Sequence, residues 1–171
     1  MAFYSSGVEY GIHSLMSMVD AKGNAREMSV REMAELQNVP YDYLAKVFTR
    51  LSRAGLVVSS EGKGGGFRLA RGAELISVLD VVRAIDGDKS LFECREVRQR
   101  MALFADKPPA WVCDGPCGVR SVMDNAQQRM EEELARSTIL DLSRVMFRKA
   151  PESFPIEVNA WLGERRSGKA G

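Results

Sequence analysis

One histidine and three cysteines are all that this 171-residue chain offers of the side chains most used for metal binding and nucleophilic catalysis. A Ser/His/Asp or Cys/His hydrolase would need His13 beside a nucleophile, and nothing in its spacing supplies one. An odd cysteine count, behind an opening Met1-Ala2-Phe3-Tyr4 without a basic and then apolar leader, argues against a disulfide framework. Reduced thiols or a metal site are the better uses. No apolar run approaches the roughly 18–20 residues that a membrane span needs. No internal repeat is visible, and there is no phosphate-binding glycine motif. The run Gly62-Lys63-Gly64-Gly65-Gly66 is followed by a strand pattern, not by the helix that a P-loop requires. Neither sign of charge is in excess, with 24 Lys+Arg against 23 Asp+Glu. Together these absences lead to the expectation of a cytoplasmic protein that is not an enzyme, has no membrane partner and takes no small-molecule substrate.

What is present is concentrated between Val39 and Ala70. After Pro40, the residues Leu44, Val47, Phe48 and Leu51 recur at helical spacing as one apolar stripe, and the opposite face carries Tyr41, Asp42, Lys46, Arg50 and Arg53. Ala54-Gly55-Leu56-Val57-Val58 ends that helix and begins a strand, Glu61 to Gly66 turns, and Phe67-Arg68-Leu69 returns as a second strand. A helix followed at once by a glycine-tipped hairpin is the pattern of a winged helix. From Tyr41 to Gly72 six cations (Lys46, Arg50, Arg53, Lys63, Arg68, Arg71) face two anions (Asp42, Glu61), a net +4 in a chain of net +1. Upstream, Ser29-Val30-Arg31-Glu32 is a capping box that opens a helix through Gln37, and Asn38-Val39-Pro40 is a tight turn. Helix, turn, helix and wing is the topology in which the last helix enters the major groove and the wing follows adjacent backbone. A basic helix face alone serves solubility equally well; the order of the four signals is what points to double-stranded DNA. The expected contacts are Tyr41, Asp42, Tyr43, Lys46 and Arg50 to bases and phosphates, with Lys63 and Arg68 holding the wing on the backbone.

The fold class expected is mainly α with a small β wing: a winged helix-turn-helix over residues 1–87 and a long dimerisation helix behind it. A first helix over Ser5 to Val19 sets Glu9 and His13, four residues apart, on one face. Ser77 to Ile85 is a compact apolar helix that ends at Asp86-Gly87. Residues 88–118 are irregular, broken by Pro108-Pro109 and Gly115-Pro116, yet gather all three thiols, Cys94, Cys113 and Cys117, in what reads as a metal loop. Residues 119–150 return to helix formers, with Val119, Met123, Ala126, Met130, Leu134, Thr138, Leu142 and Val145 as an apolar stripe. One continuous helix there would span about 45 Å, longer than so small a domain can cover, so a second copy of the chain is the expected partner. Residues 151–171 hold enough apolar side chains to dock one short segment before a frayed end.

Tyr43-Leu44-Ala45-Lys46, Leu51 to Val57, Gly62 to Arg71 and Asp80 to Gly87 together resemble the bacterial winged-helix family of the iron–sulfur regulator IscR and the nitric-oxide sensor NsrR, over about residues 3–148. The resemblance implies a homodimeric transcription regulator, a repressor, joined along the long helix and binding palindromic operators according to the state of an iron–sulfur cluster. IscR and NsrR carry three closely and evenly spaced cysteines; here Cys94 is followed by eighteen residues and then Cys113-x-x-x-Cys117. This spacing, with Glu9 and His13 at the front, is similar to the redox-sensing branch of the family, whose cluster is of the two-iron, two-sulfur type. By that likeness the metal ligands are Cys113 and Cys117 of one subunit with Glu9 and His13 of the other, and Cys94 is the reserve. Thiolates hold such clusters, and imidazole in place of thiolate raises the reduction potential. The residues by themselves leave a second reading open. In it Cys94 is a small buried apolar side chain, Glu9 and His13 are a solvated face, and Cys113 and Cys117 are a thiol pair or a zinc site, with thiol-based sensing or constitutive DNA binding as the outcome.

Overall fold

A computed structural model describes residues 2–60, 65–104 and 107–168 of the chain. Its element order is α1 (Ser6–Ser17), α2 (Val30–Gln37), α3 (Tyr41–Arg53), β1 (Val57–Ser59), β2 (Phe67–Leu69), α4 (Val78–Asp86), α5 (Ala110–Cys113), α6 (Gly118–Arg136), α7 (Ile139–Lys149) and α8 (Phe154–Ser167). The chain is mainly helical, and its one sheet among the described residues is the antiparallel pair β1–β2, with Val58 opposite Arg68. Packing groups Met1–Gly87 with Leu134–Gly171 in one unit and Asp88–Glu133 in a second.

In the first unit the capping box reads out as written in the sequence. Ser29 accepts from the backbone N–H of Glu32, and the Glu32 carboxylate accepts from the N–H of Ser29 at 2.7 Å. Asn38 ends α2 in the left-handed region (φ 53°), a conformation Asn tolerates better than most residues, and this reverses the chain into α3. Leu44, Val47, Phe48 and Leu51 of α3 are buried, and they meet a core built from Leu15 and Met18 of the first segment, Met33 of α2, Leu69 of the hairpin and Val81 of α4. The wing strands are held on that core by the tilted ring pair Phe48–Phe67 and by mutual backbone hydrogen bonds between Met28 and Phe67.

Helix α1 lies against α3 and α4 through two glycines one turn apart. A Cβ on Gly11 would stand 2.5 Å from Ile85 Cδ1, and one on Gly7 would stand 3.1 Å from the Tyr43 hydroxyl. The start of α1 and the end of α4 are tied as well. Ser5 donates its backbone N–H and its hydroxyl to the Asp86 carboxylate at 2.8 and 2.5 Å, and Arg50 of α3 donates to the Ile85 carbonyl at 2.6 Å.

The expected continuous helix from Val119 to Lys149 is corrected to two. Thr138 accepts from the N–H of Asp141 and donates its own N–H and hydroxyl to the Asp141 carboxylate, a second helix start inside the apolar stripe. Thr138 also forms a β-bridge with Ser77, with Val78 N–H on the Ser137 carbonyl and Ile139 N–H on that of Ile76, both at 2.9 Å. A backbone committed to those sideways bonds cannot also continue an α-helical ladder. Ile139, Leu140 and Ser143 of α7 are buried in the first unit, whereas the 19 residues of α6, about 28 Å of helix, bury none. The tail forms a 14-residue helix, α8, with Val158 and Leu162 buried.

In the second unit, Arg98 donates to the carbonyls of Asp114 and Gly115, Phe104 meets Trp111 edge-on, and Val112 is buried. Gln127 of α6 bonds the backbone of Lys89 and Leu91.

Gly11→Val inserts a branched side chain into the α1–α4 contact and should lower stability by about 1–3 kcal/mol through overpacking. Chemical denaturation measures it; an unchanged midpoint would show that α1 is not seated as described.

Candidate nucleic-acid interface and metal centre

Tyr41, Asp42, Tyr43, Lys46 and Arg50 all lie on the exposed face of α3, and Arg68 is exposed on β2. Lys63 falls outside the described residues. The exposed set is not uniform. Tyr43 is turned partly inward: its ring meets Tyr10 edge-on at 5.7 Å and its hydroxyl is 3.4 Å from that of Ser6. Arg50 spends one guanidinium nitrogen on the Ile85 carbonyl, satisfying the end of α4. Tyr41, half exposed, and Lys46 extend from the outer face, on the side where an HTH helix meets bases.

One side chain of this surface is absent from the set that the sequence pattern singles out. Arg31 of α2 is exposed, and its guanidinium carbon lies 5.8 Å from the centroid of the Tyr41 ring. Arg31 and Tyr41 line one shallow pocket with Glu35 and Asn38, across the turn between α2 and α3. Its signal in the sequence is a cation at the second helical position of α2, where HTH proteins approach the phosphate backbone.

The candidate metal ligands fall in both units. Glu9 and His13 are exposed one turn apart on α1 and line a concavity with Tyr4, Val8 and Ile12. They are on the side of the helix away from Gly7 and Gly11, since two residues along a helix turn about 200°. In the second unit all three cysteines are free thiols. Cys113 ends α5 and is exposed; Cys117 stands just before α6 and is half-buried. Cys94 is half-buried with its Sγ 3.6 Å from Glu96 Oε1. Among the described residues no three His, Cys, Asp or Glu side chains come together in a group that could hold a metal ion. The donor set, two free thiols with an imidazole and a carboxylate, is chemically suited to iron–sulfur ligation.

The comparisons with known proteins agree with this architecture. The family model described as Rrf2, iron-dependent transcriptional regulator, matches residues 4–144. The HTH-type transcriptional repressor NsrR of Streptomyces coelicolor is 29% identical over 136 residues, covering 78% of this chain and 83% of that protein. Among solved structures, CymR, the global cysteine regulator of B. subtilis, superposes with a TM-score of 0.63 at 24% identity, over 84% of this chain and 97% of that one. IscR of T. potens does so with 0.61 at 22% identity, over 90% and 95%. At these identities the two structures bear on the fold, and among the described residues no helix is long and apolar enough to cross a membrane. With a winged helix whose basic face is open and a family match over most of its length, the chain belongs to the Rrf2 family and is a DNA-binding transcription regulator, not an enzyme.

Proposed function

We propose that the protein is a homodimeric repressor that reads palindromic DNA and whose operator affinity is set by a redox-sensitive iron–sulfur cluster of the two-iron, two-sulfur type. Helix α1 carries the reading. Its Glu9–His13 face is open to solvent, while its Gly7–Gly11 face lies on the recognition helix α3 and on α4. Cys113 and Cys117 would hold the group as thiolates, Glu9 and His13 of a second copy would complete the site, and Cys94 is the reserve. When bound, such a cluster supplies a reversible one-electron change of charge. The rest belongs to the chain. A His13 ring held through one nitrogen can take or release a proton at the other. Any displacement of α1 is passed on through Tyr10–Tyr43, Ser5–Asp86 and Arg50–Ile85, because packed helices shift as units. Successive major grooves lie about 34 Å apart, so small rotations of two reading heads forfeit several base contacts at ~1–3 kcal/mol each.

A second reading rests on Cys113 and Cys117 standing four residues apart as free thiols: they sense by thiol chemistry or bind zinc. Colour separates the two. Anaerobically purified protein should be red-brown with about two irons and two sulfides per site. Cys113→Ala and Cys117→Ala should lose the colour, and His13→Ala should change the reduction potential or cluster retention with fold and dimer intact. A colourless protein carrying stoichiometric zinc would overturn the first reading, as would equal DNA affinity of oxidised, reduced and apo forms.

On a duplex enriched from a random-sequence pool by the wild-type protein, Lys46→Ala with Arg68→Ala should weaken binding about tenfold or more. Removing a cation that neutralises a phosphate should also reduce the salt slope by about 1. Unchanged binding at moderate salt would refute the assignment of that surface.

Dimerisation rests on α6, which buries nothing in one chain while Val119 and Val122 are 61% and 67% exposed. Leu134, further along the expected stripe, packs on the first unit's core, so it is a poor place to test association. Val119→Glu with Val122→Glu should leave charge in an apolar seam and give monomers in sedimentation; wild type that is already monomeric at micromolar concentration would contradict the proposal.

A further inference from the structure

The family match ends at residue 144, ahead of α8, yet this helix is fastened to α2 of the DNA-reading head and to the segment before it by charged side chains. Arg166 Nε donates to Glu32 Oε1 at 2.7 Å and its Nη2 donates to the Glu27 carbonyl at 2.9 Å. Arg165 Nε donates to Glu35 Oε2 at 2.9 Å, with its guanidinium stacked 3.6 Å from the centroid of Trp161. Arg26, from the segment leading into α2, reaches Asn159 at 3.0 Å. Only Val158 and Leu162 of α8 are buried, and a 14-residue helix is marginal in water by itself, so these polar contacts help decide whether it docks.

The acidic partners stand where acid is least welcome. Glu35 lines the pocket that also holds Arg31, Asn38 and Tyr41, at the mouth of the recognition helix. Glu32 lies in the first turn of α2, its side chain 9% exposed. Burial works against its charge, but the Arg166 guanidinium together with the Ser29 N–H and hydroxyl outweighs it and holds the carboxyl below the ordinary glutamate value. Glu32 is therefore anionic at neutral pH, and Glu35 faces Arg165 as an ion pair. The Debye length is about 10 Å at 0.1 M salt, so unneutralised charge at this edge would be felt by the phosphates that approach α2 and α3.

We propose that α8 is an electrostatic cover for the acidic side of the reading head, in which Arg165 and Arg166 are positioning residues that neutralise Glu35 and Glu32 and so admit the DNA backbone. They act through the two glutamates and not by touching phosphate. The proposal depends on DNA binding, which the family establishes, and not on any cluster, so it stands or falls apart from the sensing mechanism.

The test uses the full chain and two duplexes: one enriched by the wild-type protein from a random-sequence pool, and one of random sequence. Arg165→Ala with Arg166→Ala should weaken binding to both about tenfold at 0.1 M salt, with the deficit shrinking as salt rises. Arg165→Lys with Arg166→Lys keeps the charges and should bind nearly as wild type. Adding Glu32→Gln and Glu35→Gln to the alanine pair removes the acid, and Gln at position 32 can still cap Ser29, so binding should recover. Trp161 emission, read in a Trp111→Phe background, reports separately whether α8 is docked. Loss of thermal stability without any loss of DNA affinity in the alanine pair would reduce α8 to a structural strut and overturn the proposal. Weakened binding that the glutamine pair does not restore would mean that the arginines touch phosphate directly, which overturns it too.

Discussion

Two missing side chains govern the reading head. Helix α1 can settle on α3 and α4 only because Gly7 and Gly11 present no Cβ to Tyr43 and Ile85. Three ties of the first unit go with that proximity: the Tyr10–Tyr43 ring pair, the Asp86 carboxylate across the start of α1, and the Arg50 side chain over the end of α4. Glycine within a helix costs about 0.5–1 kcal/mol relative to alanine, so the gain has to come from tertiary contact. Here it does, because the helix that lacks the side chains lies directly on the helix that reads DNA.

The electrostatics follow the same economy of parts. Glu32 caps α2 with one carboxylate oxygen and receives Arg166 on the other, so a local sequence signal and a contact spanning 134 residues meet in one side chain. Ion pairs on an exposed surface contribute little, whereas a carboxylate that is nearly buried needs its partner. The pair Arg165–Glu35, about half exposed on both sides, belongs to the first class and Arg166–Glu32 to the second.

Much of the fold was legible because it is local. The stripe Leu44, Val47, Phe48 and Leu51, the Ser29 capping box and the two paired wing strands are each local in sequence, and each reads out in the structure. The break at Thr138 was written just as locally, as Thr138-Ile139-Leu140-Asp141, but the apolar periodicity runs through it and masked the signal. What could not be read depends on contacts far apart in sequence. The inward turn of Tyr43, the bond from Arg50 to Ile85 and the seat of α8 require knowing which helices touch. The candidate ligands illustrate the same limit. Their chemistry is written in the sequence, but Glu9 and His13 are more than eighty residues from the nearest cysteine, and no spacing rule reaches across such a gap.

The bridge between Ser77 and Thr138 does more than interrupt a helix. Both residues are N-caps, so α4 and α7 begin side by side and bring two positive dipole ends together. The carboxylates of Asp80 and Asp141 sit on those ends. Asp141 is held below its ordinary value by the Thr138 hydroxyl and N–H; burial works against the charge of Asp80, but the Ser77 N–H and hydroxyl together with Arg71 outweigh it and hold that carboxyl low as well. A depressed carboxyl stabilises the fold above its unfolded value and ceases to do so as pH falls through the folded one. Acid therefore uncovers two like poles at a single joint, so the seam between α4 and α7 is one place where falling pH weakens the fold.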